Sequence, residues 1–430
     1  MRTNQERLLE NPEKSKAQLL QWAQSFREVV LLDSNQYPQT YSSFDWLLAV
    51  DAFTSIQTDY HQAFDNLHQY QTQTRDWLVG YLTYDLKNAT EKLDSQNADG
   101  LGFPDLFFFQ PKKIFCCKGN VLTVSYLYCC DDELESDWLS VLQMDTELQA
   151  KVSPLAIQQR ITASEYELRF GKLQDYIQRG SIYEANFCME FFAQPAVVEP
   201  RVVYQKLNAL SAPPFAVFFK KDFQYLLSAS PERYLRKEGN KIISQPIKGT
   251  AKRSDDMQYD AQLKAALEVN AKERSENIMI VDLVRNDLSR TATKDSVHVE
   301  ELCAVYSFKQ VHQMISTIVA EVNPTIAPVD IIKSTFPMGS MTGAPKISAM
   351  QIIEELESTK RGVYSGAVGY FTPDGDFDFN VVIRSILYNA RNHYLSFSVG
   401  SAVTAKANAA EEYAECLLKA KAMREVLGDH

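Results

Sequence analysis

The sequence predicts an α+β (mixed α/β) fold with mixed sheets, on three observations. Apolar runs of strand length recur in hairpin-like pairs, as in Phe107 to Phe115 and Val121 to Tyr128 around Lys-Gly-Asn. Helical stretches are interspersed without the regular alternation of a parallel α/β sheet. At 430 residues, two domains or one large two-lobed unit is expected.

Residues 15–27 have helical spacing, and Val29-Val-Leu-Leu32 reads as a buried strand. Phe44 to Phe53 and Trp77 to Leu82 are further apolar runs, with a helix near 55–75. Residues 1–150 therefore read as a strand-rich N-terminal lobe without a catalytic constellation, followed by a linker at 151–156. In 151–430 the first helix has Ser164 and Glu167 at capping-box spacing, with Tyr166, Phe170, Leu173 and Ile177 on one apolar face. Ser181 to Phe192, Phe215 to Phe219 and Tyr225 to Ala229 are strand-like. One long helix is predicted over 257–284. Phe336 to Lys346 is a glycine-containing loop into a helix, with Pro345 in the first turn and Thr342 or Gly343 near the cap. Gly366 to Phe371 and Phe379 to Tyr388 are strands around Asp374-Gly375. Leu395 to Val403 is a strand containing Gly400, and a last helix starts near Asn408.

Composition excludes several classes. A net charge of −11 argues against nucleic acid as the main partner, although a site can be locally basic. No apolar run approaches membrane-spanning length, and the N-terminal residues lack a signal core. The seven cysteines lack CxxC spacing and read as reduced thiols of a cytoplasmic protein.

Two helices each carry a Glu-x-x-Glu face, Glu273/Glu276 and Glu412/Glu415. Such pairs are usually solvated; if the helices converge, the carboxylates suit Mg²⁺ with waters and a substrate oxygen. Lys248, Thr250, Lys346, Arg384, Lys419 and the backbone at Gly400 are the groups available to an oxyanion beside the ion. Lys248 ends an apolar run beside Gly249. It reads either as a solvated strand end or as a pocket amine whose pKa burial lowers, freeing a nucleophile. Arg384 lies amid β-branched residues, on a solvent face or held by an anion. No hydrolase triad, Walker loop or dinucleotide fingerprint is visible.

The motifs SPERYLR, QPIKGTAKRS, ENIMIVDLVRNDLSR, FPMGSMTGAPKISAMQIIEELE, RGVYSGAVGYFTPDGDFDFNVVIRS and EEYAECLLKAKAM occur in this order. Together they resemble the chorismate-utilising enzymes over about residues 160–425. The resemblance implies a two-lobed, anthranilate-synthase-like fold, with a central β-sandwich flanked by helices and a chorismate-binding catalytic domain at 151–430. Anthranilate synthases carry alanine where this chain has Lys248; PIKGT is the form of aminodeoxychorismate synthase component I. That likeness implies that Lys248 attacks chorismate at C2 and expels the C4 hydroxyl, and that ammonia then enters at C4. Glu232 would be an acid/base. Glu276 and Glu415 would ligate Mg²⁺, with Glu273 and Glu412 behind them. Thr250 and Lys419 would lie near the ring carboxylate; Tyr364, Arg384 and the backbone at Gly400 would take the enolpyruvyl carboxylate. A glutaminase subunit would supply ammonia, and a tryptophan site in the N-terminal lobe is a further family feature. Two positions depart from the pattern. Gln313 replaces a histidine, with His312 one residue earlier, so the adjacent ring faces the other way and only an amide remains to hydrogen-bond substrate. Glu184 replaces a glutamine; the lysine used for water addition in the isochorismate and salicylate branches is absent there. The alternatives are anthranilate synthase component I and, more remotely, a non-catalytic binding subunit of the same fold.

Overall fold

A computed structural model describes residues 1–146 and 154–429. Side chains alternate between the two faces of a strand, and in the central strands both faces are apolar. Val29 and Leu31 enter one core cluster, while Val30 and Leu32 enter the other. Trp46, Leu48 and Val50 part from Leu47 and Ala49 in the same way. Such strands must be covered on both sides, which accounts for the unbroken run Val29-Val-Leu-Leu32. Helices Pro12–Trp22, Ala163–Gln178 and Ala409–Val426 pack on one face. The second cluster fills the sandwich interior.

The strands form one hydrogen-bonded network of antiparallel ladders. One half runs His298–Ser307, Val311–Glu321, Lys241–Gln245, Arg233–Glu238, Phe377–Val381, Ala367–Phe371 and Leu78–Leu82, with Ile247–Lys252 also against Val311–Glu321. The other half runs Trp46–Thr58, Glu28–Asp33, Phe215–Lys221, Gln224–Ser230, Ser385–Asn389, Tyr394–Thr404 and Glu184–Ala193. The long strand Leu106–Lys118 pairs with Leu78–Leu82 and Trp46–Thr58 and so joins the halves. It also forms the expected hairpin with Val121–Leu127.

Several local expectations shift. The strand Trp46–Thr58 runs on where a helix was expected, and the helix is Ala63–Thr74. The capping box is formed by Thr162 and Glu165, which have the same spacing as Ser164 and Glu167 two residues earlier. The long helix over 257–284 is two, Met257–Val269 and Ala271–Ser289. Asn270 breaks it with ψ 111°, and its side chain caps the second helix by accepting from Glu273 N. Pro345 is itself the cap of Lys346–Leu356, while Gly343–Ala344 pairs with the start of the Glu184 strand. The 151–156 linker falls partly outside the described residues. No helix among the described residues is long and apolar enough to cross a membrane.

Candidate functional site

A cavity of about 620 Å³ opens beside the strand Ile247–Lys252, between the helices Ala271–Ser289 and Ala409–Val426. It is lined by Glu232, Lys248, Thr250, Glu273, Glu276, Gln313, Tyr364, Arg384, Gly400, Glu412, Glu415 and Lys419, which are all of the candidate site residues from the sequence except Lys346.

Lys248 is held at both ends. Asn277 Nδ2 donates to its carbonyl at 3.1 Å and to Met314 O at 3.3 Å, tying strand to helix. Gly249 takes φ 100°, a conformation that favours glycine, and a Cβ there would press within 3.1 Å of Glu273 Oε2. Lys248 Nζ meets Glu184 Oε1 at 2.9 Å. This corrects the expected depressed amine. Burial does push Lys248 down, but Glu184 and Glu276 outweigh it, and its pKa stays above the ordinary lysine value.

Glu232 follows Pro231 at the end of the strand Gln224–Ser230 and is buried. Burial pushes its carboxyl up to about 7, against the Ser340 hydrogen bond and the Lys248 charge. Ser340 Oγ donates to Glu232 Oε1 at 2.6 Å. A carboxyl so placed is divided between acid and base near neutrality.

The glutamate pairs face the same space. Burial pushes Glu276 up to about 7 and also raises Glu273 and Glu412. Glu415 goes the other way: Lys419 at 2.6 Å overcomes its burial. Lys272 approaches Glu412 at 3.7 Å. Carboxylates outnumber ammonium groups on these two helix faces, and their hard oxygens fit Mg²⁺. Among the described residues no three His, Cys, Asp or Glu side chains form a metal-holding group by themselves. An ion held here would have to take part of its shell from water and substrate oxygens.

Arg384 does not lie within a strand, as expected, but between Phe377–Val381 and Ser385–Asn389, at φ 52°. For a bulky side chain this costs roughly 1–3 kcal/mol, and such strain clusters at binding sites. Burial lowers its pKa, against the charges of Tyr364 and Glu415. Lys419 Nζ donates to Gly400 O at 2.7 Å, and a Cβ on Gly400 would meet Cys188 Sγ at 2.6 Å. Gln313 pairs with Thr250 across the ladder, and its buried Oε1 has no partner among the described residues. His312 turns away from the cavity, bonding Ser307 at 2.9 Å and Asp260 at 3.1 Å. Lys346 is not in the cavity; it is buried against Asp287 at 2.5 Å and Thr335 O at 3.1 Å.

The sequence profile of the chorismate binding enzymes matches residues 8–425. The chain belongs to this family. A Synechocystis protein named anthranilate synthase component I-like is 34% identical over 81% of this chain and 71% of its own. A Salmonella typhimurium protein named aminodeoxychorismate synthase component 1 is 32% identical over 90% of each. The solved anthranilate synthase component I of Streptococcus pneumoniae has the same fold, with TM-score 0.80 at 24% identity, over 90% of this chain and 94% of that one.

In this chorismate-binding enzyme, sequence reasoning missed two residues that build the site and left the role of a third, Glu184, open. Ser340 lies inside a quoted motif, and its place after Met338-Gly339 was the available signal. Asn277 directly follows Glu276, but its two backbone contacts depend on sheet packing. Glu184 was visible as a departure, yet its partner Lys248 is distant in sequence.

Proposed function

We propose that the protein is component I of an aminodeoxychorismate synthase, converting chorismate and ammonia to 4-amino-4-deoxychorismate with Mg²⁺ bound. The observation that carries this reading is Lys248 on the cavity wall, facing the carboxylates of two helices and the strained Arg384. The Salmonella typhimurium relative of that name, covered almost end to end, supports it. Ammonia would come from a separate glutaminase subunit, in the cytoplasm.

Arg384 and Lys419 bring positive charge to a dianionic ring substrate. Lys248 forms the first bond to the ring, and Glu232 in its neutral form gives its proton to the departing hydroxyl. Ammonia then displaces the amine, so one difficult substitution becomes two easier ones. Glu276 and Glu415, with Glu273 and Glu412 behind them, would hold Mg²⁺, which would supply positive charge against the ring carboxylate.

Incubation with chorismate, Mg²⁺ and ammonium is expected to yield 4-amino-4-deoxychorismate, identified by mass and chromatography. Anthranilate would instead place the chain with the Synechocystis and Streptococcus proteins, and isochorismate or salicylate would defeat amination at C4.

Glu276 makes Mg²⁺ dependence follow pH. Its carboxyl, raised to about 7, is protonated below that value and binds a cation poorly. Apparent Mg²⁺ affinity is expected to rise about tenfold per pH unit approaching 7 and then level off. Calorimetric titration with Mg²⁺ at pH 6, 7 and 8 checks this, and Glu276→Gln should flatten the profile.

A further inference from the structure

Lys248 and Glu184 come from opposite halves of the sandwich and meet in a buried ion pair. The two side chains are 14% and 2% exposed. Both backbones are pinned. Glu184 lies between Ala344 and Thr404 in two ladders, and a Cβ on Gly343 would sit 2.2 Å from its carbonyl oxygen. Lys248 is pinned through Asn277. Glu184 is the one carboxylate within ion-pair distance of Nζ among the described residues; Glu276, Glu415 and Glu232 act on Lys248 only through longer-range charge. Glu184 Oε2 is buried without a hydrogen-bond partner among the described residues.

Three consequences follow from elementary chemistry. An ammonium has no lone pair, so Lys248 must lose a proton before it can bond to carbon. The acceptor must lie within hydrogen-bond reach of Nζ, directly or through one water, and Glu184 lies 2.9 Å away. Among the described residues, Oε2 makes no hydrogen bond that protonation at Oε1 would disturb.

We propose that Glu184 is a positioning residue that aims the Lys248 amine into the cavity and receives its proton as the nitrogen bonds to the ring. The proton passes from Nζ to Glu184 Oε1, and the nitrogen lone pair forms the C–N bond at C2. The ring double bonds shift toward C4, the C4–O bond breaks, and the hydroxyl leaves as water with the proton from Glu232. The next step regenerates both groups: ammonia bonds at C4 and gives one proton back to Glu232, the ring double bonds shift back as the amine leaves C2, and Glu184 returns its proton to Nζ. This inference rests on the reading of Lys248 as the nucleophile.

The test uses the full chain and Glu184→Gln, which keeps shape and an acceptor oxygen but cannot take the proton. With ammonium present, kcat is expected to fall on the order of 10²-fold, while KM for chorismate stays within about threefold. Without ammonium, the rate of mass-adduct formation at Lys248 should fall in parallel. Glu184→Ala, which leaves space, should be partly restored by formate; Glu184→Gln, which fills it, should not. An unchanged or faster adduct rate in Glu184→Gln overturns the proposal, as does the absence of formate rescue. Wild-type protein that forms neither adduct nor aminated product overturns both this inference and the functional reading. Wild-type turnover with an unaffected Glu184→Gln overturns the inference alone.

Discussion

Lys248→Ala is expected to lower the rate of chorismate amination by at least about 10³-fold while leaving chorismate affinity within about tenfold. The asymmetry follows from the division of labour in the cavity. Arg384 and Lys419 remain to hold an anionic ligand, whereas among the described residues no other lysine contacts Glu184 to take over the bond to the ring. Product formation in saturating ammonium measures the first effect, and calorimetric binding of chorismate with Mg²⁺ measures the second. If the variant keeps more than about a tenth of wild-type kcat, Lys248 supplies charge and not a covalent bond. Mass spectrometry of wild-type protein with chorismate and no ammonium separates these two roles directly.

Arg361→Met is expected to destabilise the fold by about 3–5 kcal/mol, the range for stranding one member of a buried ion pair. Arg361 is buried and grips Glu357 twice, through Nε at 2.9 Å and Nη2 at 2.6 Å. Its remaining donors reach Met341 O at 2.6 Å and Asn186 O at 2.7 Å, and Tyr84 lies 4.4 Å from the guanidinium carbon. Met341 and Asn186 line the cavity, so this pair braces the site wall from behind. Urea unfolding gives the magnitude. The double change Arg361→Met with Glu357→Leu should recover part of the loss, because no buried charge is then left alone. A loss below about 1 kcal/mol in the single variant would show that water reaches Glu357.

The contrast between these residues explains what was legible in the chain. Glu273 with Glu276, and Glu412 with Glu415, declare themselves locally, since i, i+3 spacing puts each pair on one helix face wherever the helix goes. The buried strand at Val29 to Leu32 is equally local. Arg384 was read as a strand residue because Val-Val-Ile-Arg-Ser-Ile-Leu carries no glycine or proline to mark the left-handed kink. The raised pKa of Lys248 was invisible for another reason: its direction depends on Glu184, brought in from the far half of the sandwich. Lys346 failed in the same way, because Asp287 and the Thr335 carbonyl capture it before it can reach the cavity. Two overlapping Thr/Ser-x-x-Glu patterns placed the cap of the helix Ala163–Gln178 two residues late.

The pairing of Glu28–Asp33 with Phe215–Lys221, and of Leu78–Leu82 with Ala367–Phe371, sets a timetable for the chain as it leaves the ribosome. Both early strands emerge long before their partners exist. During synthesis they present apolar faces and open hydrogen-bonding edges, which are the features that recruit neighbouring chains into aggregates. Closing such distant pairs is also slow, because the loop must be ordered before its contacts can form. Expression at lower temperature, or with holdase chaperones in excess, should therefore raise the yield of folded protein more than any change at the cavity.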